Sequence, residues 1–180
     1  DIYESFADAE DMVAILKTPH EVRDAPTAKP LVVSRGEIMF ERVGFSYQKT
    51  RKVFSNFNLT VSSGEKVAFM GPSGAGKSTV VKLLFRFYDL AEGKILIDGQ
   101  KINQVTQESL RGALALVPQD PIMFHRTIRE NIRYGRRDAS DAEVREAARL
   151  AHCTEFIEEL PDTWETYVGE RGIKLSGGER

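Results

Sequence analysis

The 180-residue chain has one cysteine, one tryptophan, no excess of either charge and no long apolar run. Each shortage excludes something. A single Cys153 cannot form an internal disulfide, and it suits a reducing compartment. His152 beside it would be half of a metal site, but no second ligand pair stands at suitable spacing, so a packed helix position is the favoured reading. The net charge is −2, with both signs mixed along the chain, and no basic run points to nucleic acid. No stretch approaches about 18 consecutive apolar residues and no signal peptide is read, so these residues are expected neither to span a membrane nor to be exported. Internal repeats and low-complexity tracts are also missing. Length and composition fit one globular domain plus an appendage.

What is present is concentrated in residues 71–79, G-P-S-G-A-G-K-S-T. Gly71, Gly76, Lys77 and Ser78 satisfy the phosphate-loop pattern G-x-x-x-x-G-K-[ST], and Pro72, Ser73, Gly74, Ala75 and Thr79 complete it. A polyphosphate is wrapped by backbone N–H groups, which bulky side chains would hold away. Gly71, Gly74 and Gly76 remove that obstacle. The loop then opens a helix whose free N–H groups and positive dipole end favour an anion. Lys77 can reach the β- and γ-phosphates, and the Ser78 hydroxyl is placed for Mg²⁺. The bland alternative is a glycine-rich turn, and such a pattern arises by accident in on the order of one percent of chains this long. Context favours the loop. Lys66–Met70 is a short apolar run suited to a buried strand, and Ser78–Tyr88 is apolar around most of its circumference, as a buried helix is.

Elsewhere the pattern divides the chain. Ile2, Phe6, Ala9, Val13 and Leu16 share one face of an amphipathic helix stopped near Thr18-Pro19. A polar, proline-containing stretch from His20 to Pro30 reads as a linker. From Glu37 the period becomes two: Ile38, Phe40, then Val43, Phe45, Tyr47, and again Phe57, Leu59, Val61 predict a small antiparallel sheet. Lys94–Ile97 and Leu114–Val117 are expected to be further short strands. Then the chain turns helical. Thr127 with Glu130, and Ser140 with Glu143, fit capping boxes. Val144, Ala147, Ala148 and Ala151 are the expected inward face of one helix, and Phe156, Ile157 and Leu160 of the next.

Three further features carry candidate chemistry. Asp98 ends a strand and could pass for a magnesium-binding Asp, but Asp98-Gly99 between apolar residues is the stronger signal for a hairpin turn. Gln119 follows a strand end, where ligand-contacting groups of open α/β sheets gather. Leu175, Ser176, Gly177, Gly178 and Glu179 read L-S-G-G-E. Ser176 and Glu179 are spaced as a capping box, which reads as a helix start, while two glycines after the cap also expose amides to an anion.

Together these residues resemble the nucleotide-binding domain of ABC transporters of the exporter type, over about residues 36–180. Gly71–Thr79 match the phosphate loop. Tyr47 lies where the family stacks an aromatic ring on adenine, Gln119 falls at the Q-loop, and Leu175–Glu179 match the signature. Tyr167–Gly172 is similar to the motif that exporters carry just before it. Leu83–Tyr88 and Ile95–Gln100 look like half-transporters of the multidrug, lipid or mitochondrial and heavy-metal groups.

The resemblance implies an α/β fold: a P-loop NTPase (RecA-like) core, an N-terminal antiparallel β-subdomain and an α-helical subdomain at about 120–180, incomplete at the C-terminus. Residues 1–35 would be the helix and linker leaving a fused membrane domain upstream. ATP and Mg²⁺ are the implied ligands, with Lys77 and Gln119 catalytic and Ser78 and Gln119 at the metal. Residues 175–179 would contact ATP held by a second nucleotide-binding domain. The implied location is the cytoplasmic face of a membrane. The family's later Asp, Glu and switch His would follow the signature, and neither Glu170 nor Glu179 replaces them. The fragment alone is therefore expected to hydrolyse nothing. Rival readings are a soluble ABC ATPase, a P-loop kinase using Asp98 for magnesium, and an interaction module with a degenerate loop.

Overall fold

The computed structural model describes all residues except 1, 49, 50, 120, 170–174, 177, 179 and 180. The chain divides into two compact units, Asp1–Ala115 and Leu116–Arg180.

The first unit is built on an antiparallel sheet in the order β2-β1-β3-β4, comprising β1 (Ile38–Gln48), β2 (Arg51–Val61), β3 (Glu92–Ile97) and β4 (Gln100–Lys101). The alternation read from the sequence is the burial pattern observed: Phe40, Val43 and Phe45 are buried on β1, and Ile95 and Ile97 on β3. Between Phe40 and Val43 the phase slips by one residue, and Arg42 turns left-handed there (φ 48). Asn56 does the same on β2 (φ 56). The Asn58 side chain bridges these two irregularities, accepting from the Arg42 amide at 2.9 Å and donating to the Asn56 carbonyl at 2.7 Å. Opposite, Gly93 lies so close to this bulge that a Cβ would sit 2.4 Å from the Arg42 carbonyl oxygen. Helix α2 (Lys77–Leu84) lays Val80 and Leu83 into the same core. Each such fully buried side chain contributes roughly 1.5–3 kcal/mol.

Two expected strands are not strands. Residues 66–70 and 114–117 carry no ladder, and Val67, Phe69, Met70, Leu116 and Val117 are exposed. An apolar run reports a tendency to be buried; it becomes a strand only where neighbours accept its N–H and C=O groups. No described strand pairs with either run. The helix expected over Ser78–Tyr88 also stops early, at Leu84, because Arg86 adopts φ 50.

The N-terminal helix α1 (Ile2–Lys17) ends at the expected Thr18, whose amide donates to the Ile15 carbonyl and whose hydroxyl donates to that of Ala14. The stretch read as a linker is docked along its length. Lys29 pairs in parallel with Val105. The Leu31 amide donates to Ser109 Oγ, and the Gln100 amide exchanges two bonds with the Val32 backbone, as a neighbouring strand would. Helix α3 (Gln107–Gly112) starts beneath it, capped by Thr106.

Asp98 and Gly99 are both left-handed (φ 46 and 76), so the hairpin reading holds. The Asp98 carboxylate accepts the amides of Ser34, Arg35 and Gly36 on one oxygen and of Glu37 on the other, at 2.7–3.1 Å. The Arg35 amide first, then those of Ser34 and Gly36, hold its pKa far below the ordinary carboxylate value. Both oxygens are committed to the fold, which removes the kinase reading in which Asp98 binds magnesium.

The second unit is helical: α4 (Ile128–Arg133), α5 (Asp141–Leu150) and α6 (Thr154–Glu159), with β5 (Arg126–Thr127) paired to β6 (Tyr167–Val168). Both capping boxes form with reciprocal bonds, Thr127 with Glu130 and Ser140 with Glu143. On α5, Val144 and Ala148 are buried while Ala147 and Ala151 are exposed, so the inward stripe is narrower than expected. Ile157, Trp164 and Val168 complete that core, with Phe156 and Leu160 packed against it. His152 is exposed in a left-handed turn (φ 56) after α5 instead of packed in a helix.

The depressed pKa of Asp98 makes a pH prediction. Its contribution to stability is complete above the unfolded carboxylate value, about 4, and is lost as pH falls towards the folded value. Asp98→Asn should lower stability at pH 7 and flatten the acid limb of the unfolding curve. Denaturant midpoints across pH, wild type against variant, measure both.

Candidate nucleotide-binding site

Residues 71–76 form an exposed loop that runs into the first turn of α2. Gly76 stands at the helix N-cap with φ 93, and a Cβ there would lie 3.0 Å from the Phe54 ring. Only glycine satisfies both the backbone and the packing. No side chain caps the helix, so its first turn is left open to an anion. The Lys77 ammonium folds back over the loop and donates to the carbonyls of Gly71 and Pro72, each at 2.8 Å. An ammonium has three donors, and these two bonds use two of them. Ser78 is exposed beside it, while Thr79 is buried.

Tyr47, at the end of β1, is brought against this helix. Its hydroxyl lies 3.1 Å from Thr79 Oγ1. Phe45 and Tyr88 pack nearly perpendicular to its ring, with centroids 4.9 and 5.2 Å away, and the Lys82 ammonium sits 5.5 Å from its centroid. The ring is thus fixed in orientation yet 44% exposed, as a stacking platform must be. Two sequence candidates about thirty positions apart therefore meet at one helix.

The other candidates belong to the second unit. Gln119 lies exposed on a bend after the unpaired run 114–117. Leu175 is buried in that unit's core, so its side chain anchors the segment. Ser176 and Gly178 are exposed, while Gly177 and Glu179 lie outside the described residues. Of the motif at 167–172, Tyr167 and Val168 form β6, and Gly169 (φ 97) packs so closely that a Cβ would meet the His125 amide nitrogen at 3.0 Å; residues 170–172 lie outside the described set.

Two features escaped the sequence reading. Asn131 ties the loop 124–127 to α4, accepting the Phe124 amide and donating to the carbonyls of Phe124, Arg126 and Thr127. Arg86 is buried (3% exposed) just beyond α2. Its signal was available: a lone cation within the apolar run Leu83–Tyr88. Among the described residues there is no cluster of three His, Cys, Asp or Glu side chains able to hold a metal ion, and no helix long and apolar enough to cross a membrane.

Substituting Gly76→Ala should destabilise the first unit by about 1–2 kcal/mol from the left-handed backbone alone, with the Phe54 contact adding to it. Denaturant unfolding checks the direction and size.

Comparison with known proteins is consistent with this geometry. The family model described as ABC transporter matches residues 54–180. ATP-binding cassette sub-family B member 6 of Mesocricetus auratus is 52% identical over 179 residues, covering 99% of this chain and 21% of the relative. An ATM1-type heavy metal exporter of Novosphingobium aromaticivorans is 51% identical over 179 residues, covering 99% of this chain and 29% of that protein. A solved structure of a bacterial Atm1-family ABC exporter with ATP bound superposes with a TM-score of 0.91 at 51% identity, covering 99% of this chain and 31% of that one. The chain thus spans less than a third of the length of these proteins.

Proposed function

The chain belongs to the ABC transporter family, and on that premise we propose that it is the ATP-handling part of an exporter, in which closure of two such domains on ATP drives a substrate across a membrane. The observation that carries this reading is the meeting of the phosphate loop and the Tyr47 ring at one helix. One end of a nucleotide has a cradle and the other a shelf.

The chain's own groups divide the work. Lys77 keeps two donors on the loop carbonyls, which fixes its ammonium, and directs the third at the β- and γ-phosphates. The open first turn of α2 adds amides aimed at the same anion. Tyr47 stacks on adenine. The oxygen of Ser78 suits a hard cation whose remaining ligands come from phosphate and water. The chemistry such an ion would supply there is neutralisation of phosphate charge. Gln119, in the second unit, would offer a neutral carbonyl to a hard cation or to a water. Ser176, Gly177, Gly178 and Glu179 of a second nucleotide-binding domain close the site from its far side, with Leu175 holding that segment in its own core. Catalysis is then mostly electrostatic: fixed cations and amides meet the charge of the transferred phosphoryl. None of the 180 residues is assigned as the base on the attacking water, and neither Glu170 nor Glu179 takes that role.

In the parent protein α1 descends from a fused membrane domain, and residues 36–180 form the start of the ATP-binding domain on the cytoplasmic face. The region Thr127–Leu160 passes the state of the γ-phosphate to the membrane domain. The name of the Novosphingobium relative supports a heavy-metal class of cargo.

Two measurements on the full-length protein test this reading. Tyr47→Ala should weaken ATP binding by about tenfold or somewhat more, the cost of one base–aromatic stack; unchanged affinity would leave Tyr47 as a strand residue only. Ser176→Arg should leave each protomer able to bind ATP but block ATP-dependent dimerisation. Dimers at wild-type strength would refute the shared site.

A further inference from the structure

Arg86 is placed where a glycine belongs. Helix α2 ends in a Schellman motif: the Arg86 amide donates to the Leu83 carbonyl and the Phe87 amide to that of Lys82, both at 3.0 Å. The left-handed residue of this motif is usually glycine, because a Cβ is strained there. Here it carries the most buried cation among the described residues, with φ 50 and 3% exposure. Helix capping therefore does not explain the residue type, and what the guanidinium touches does.

Its Nη2 donates to the Arg23 carbonyl at 2.8 Å, its Nη1 reaches Asp24 Oδ1 at 3.3 Å, and its Nε donates to Asp89 Oδ1 at 2.9 Å. The partner Asp24 is itself held, accepting the Gln107 amide on both oxygens at 3.1 Å and the Gln107 side-chain amide on one. Arg111 closes the group, donating to the carbonyls of Phe85 and Arg86 and to Gln107 Oε1. A strained backbone and a buried cation bonded through all three of its nitrogens thus join two elements: the end of the helix whose beginning is the glycine-rich loop, and the segment 22–24 that precedes the rest of the unit. Between them α2 is eight residues long, a rigid rod of about 12 Å. A rod gripped at both ends moves as one body.

We propose that Arg86 is a positioning residue that ties the far end of the phosphate-loop helix to the incoming segment 22–24, so that ATP binding at the loop is felt by the chain arriving from upstream. This rests on the nucleotide-site reading above and adds a route within the first unit, separate from Gln119 and the helical unit.

The test is hydrogen exchange on the full-length protein with and without MgATP, read in peptides covering residues 20–37. Wild type should show a several-fold change in exchange in those peptides when ATP binds. Arg86→Gly preserves the left-handed cap while deleting the guanidinium, so it should bind ATP with near wild-type affinity while residues 20–37 no longer respond. Asp24→Asn, on the other side of the ion pair, should reproduce that loss of response. The inference is overturned if wild type shows no response there, if Arg86→Gly keeps it, if Asp24→Asn responds as wild type does, or if Arg86→Gly loses ATP affinity in step, which would make the clasp a purely structural support of the loop. A wild-type protein that fails to bind ATP at all would bring down the nucleotide-site reading first, and this inference with it.

Discussion

Helix α2 buries Thr79, Val80 and Leu83 against the antiparallel sheet while keeping its first turn at the surface. That division decides the rest of the site. The apolar face fixes the helix axis, and the axis aims Lys77 and the open amides. The same face brings Thr79 within reach of the Tyr47 hydroxyl, so the Tyr47 ring and the loop before the helix are set by one packing contact. A shift of the helix along the sheet would disturb both together.

The end of the helix is as constrained as its beginning. Gly76 is needed at the start because neither its backbone nor Phe54 leaves room for a side chain. At Arg86 the chain accepts a strained backbone and uses the side chain to hold the segment that enters the domain. Asp98 then holds the next stretch of that segment through four amides. A buried arginine and a turn aspartate, far apart in sequence, therefore position one incoming strand of chain. In both cases a charged group is stabilised by backbone dipoles, which are available wherever the chain passes close by.

Much of the local structure was legible in the residues. The period-two runs at 38–47 and 57–61, the Asp98-Gly99 turn and both capping boxes are governed by contacts within a few positions, and they form as read. The glycine-rich loop and the helix it opens are legible for the same reason, since their signal lies within nine consecutive residues. The misreadings share a different cause. Residues 66–70 and 114–117 have the composition of strands, but pairing depends on partners elsewhere in the chain. The stretch 20–30 has the composition of a linker, yet Arg86, Gln107 and Val105 hold it down.

By itself, then, the sequence determined which segments curl, alternate or turn, and that residues 71–76 make a glycine-rich loop opening a helix, because these follow from local sterics and neighbouring hydrogen bonds. Only the tertiary structure decided that Tyr47 stands over α2, that Asp98 is a clasp and no metal ligand, and that Arg86 joins the helix to the incoming chain. Those outcomes depend on groups separated by tens of residues, whose meeting is set by burial of the shared core and by no spacing visible along the chain.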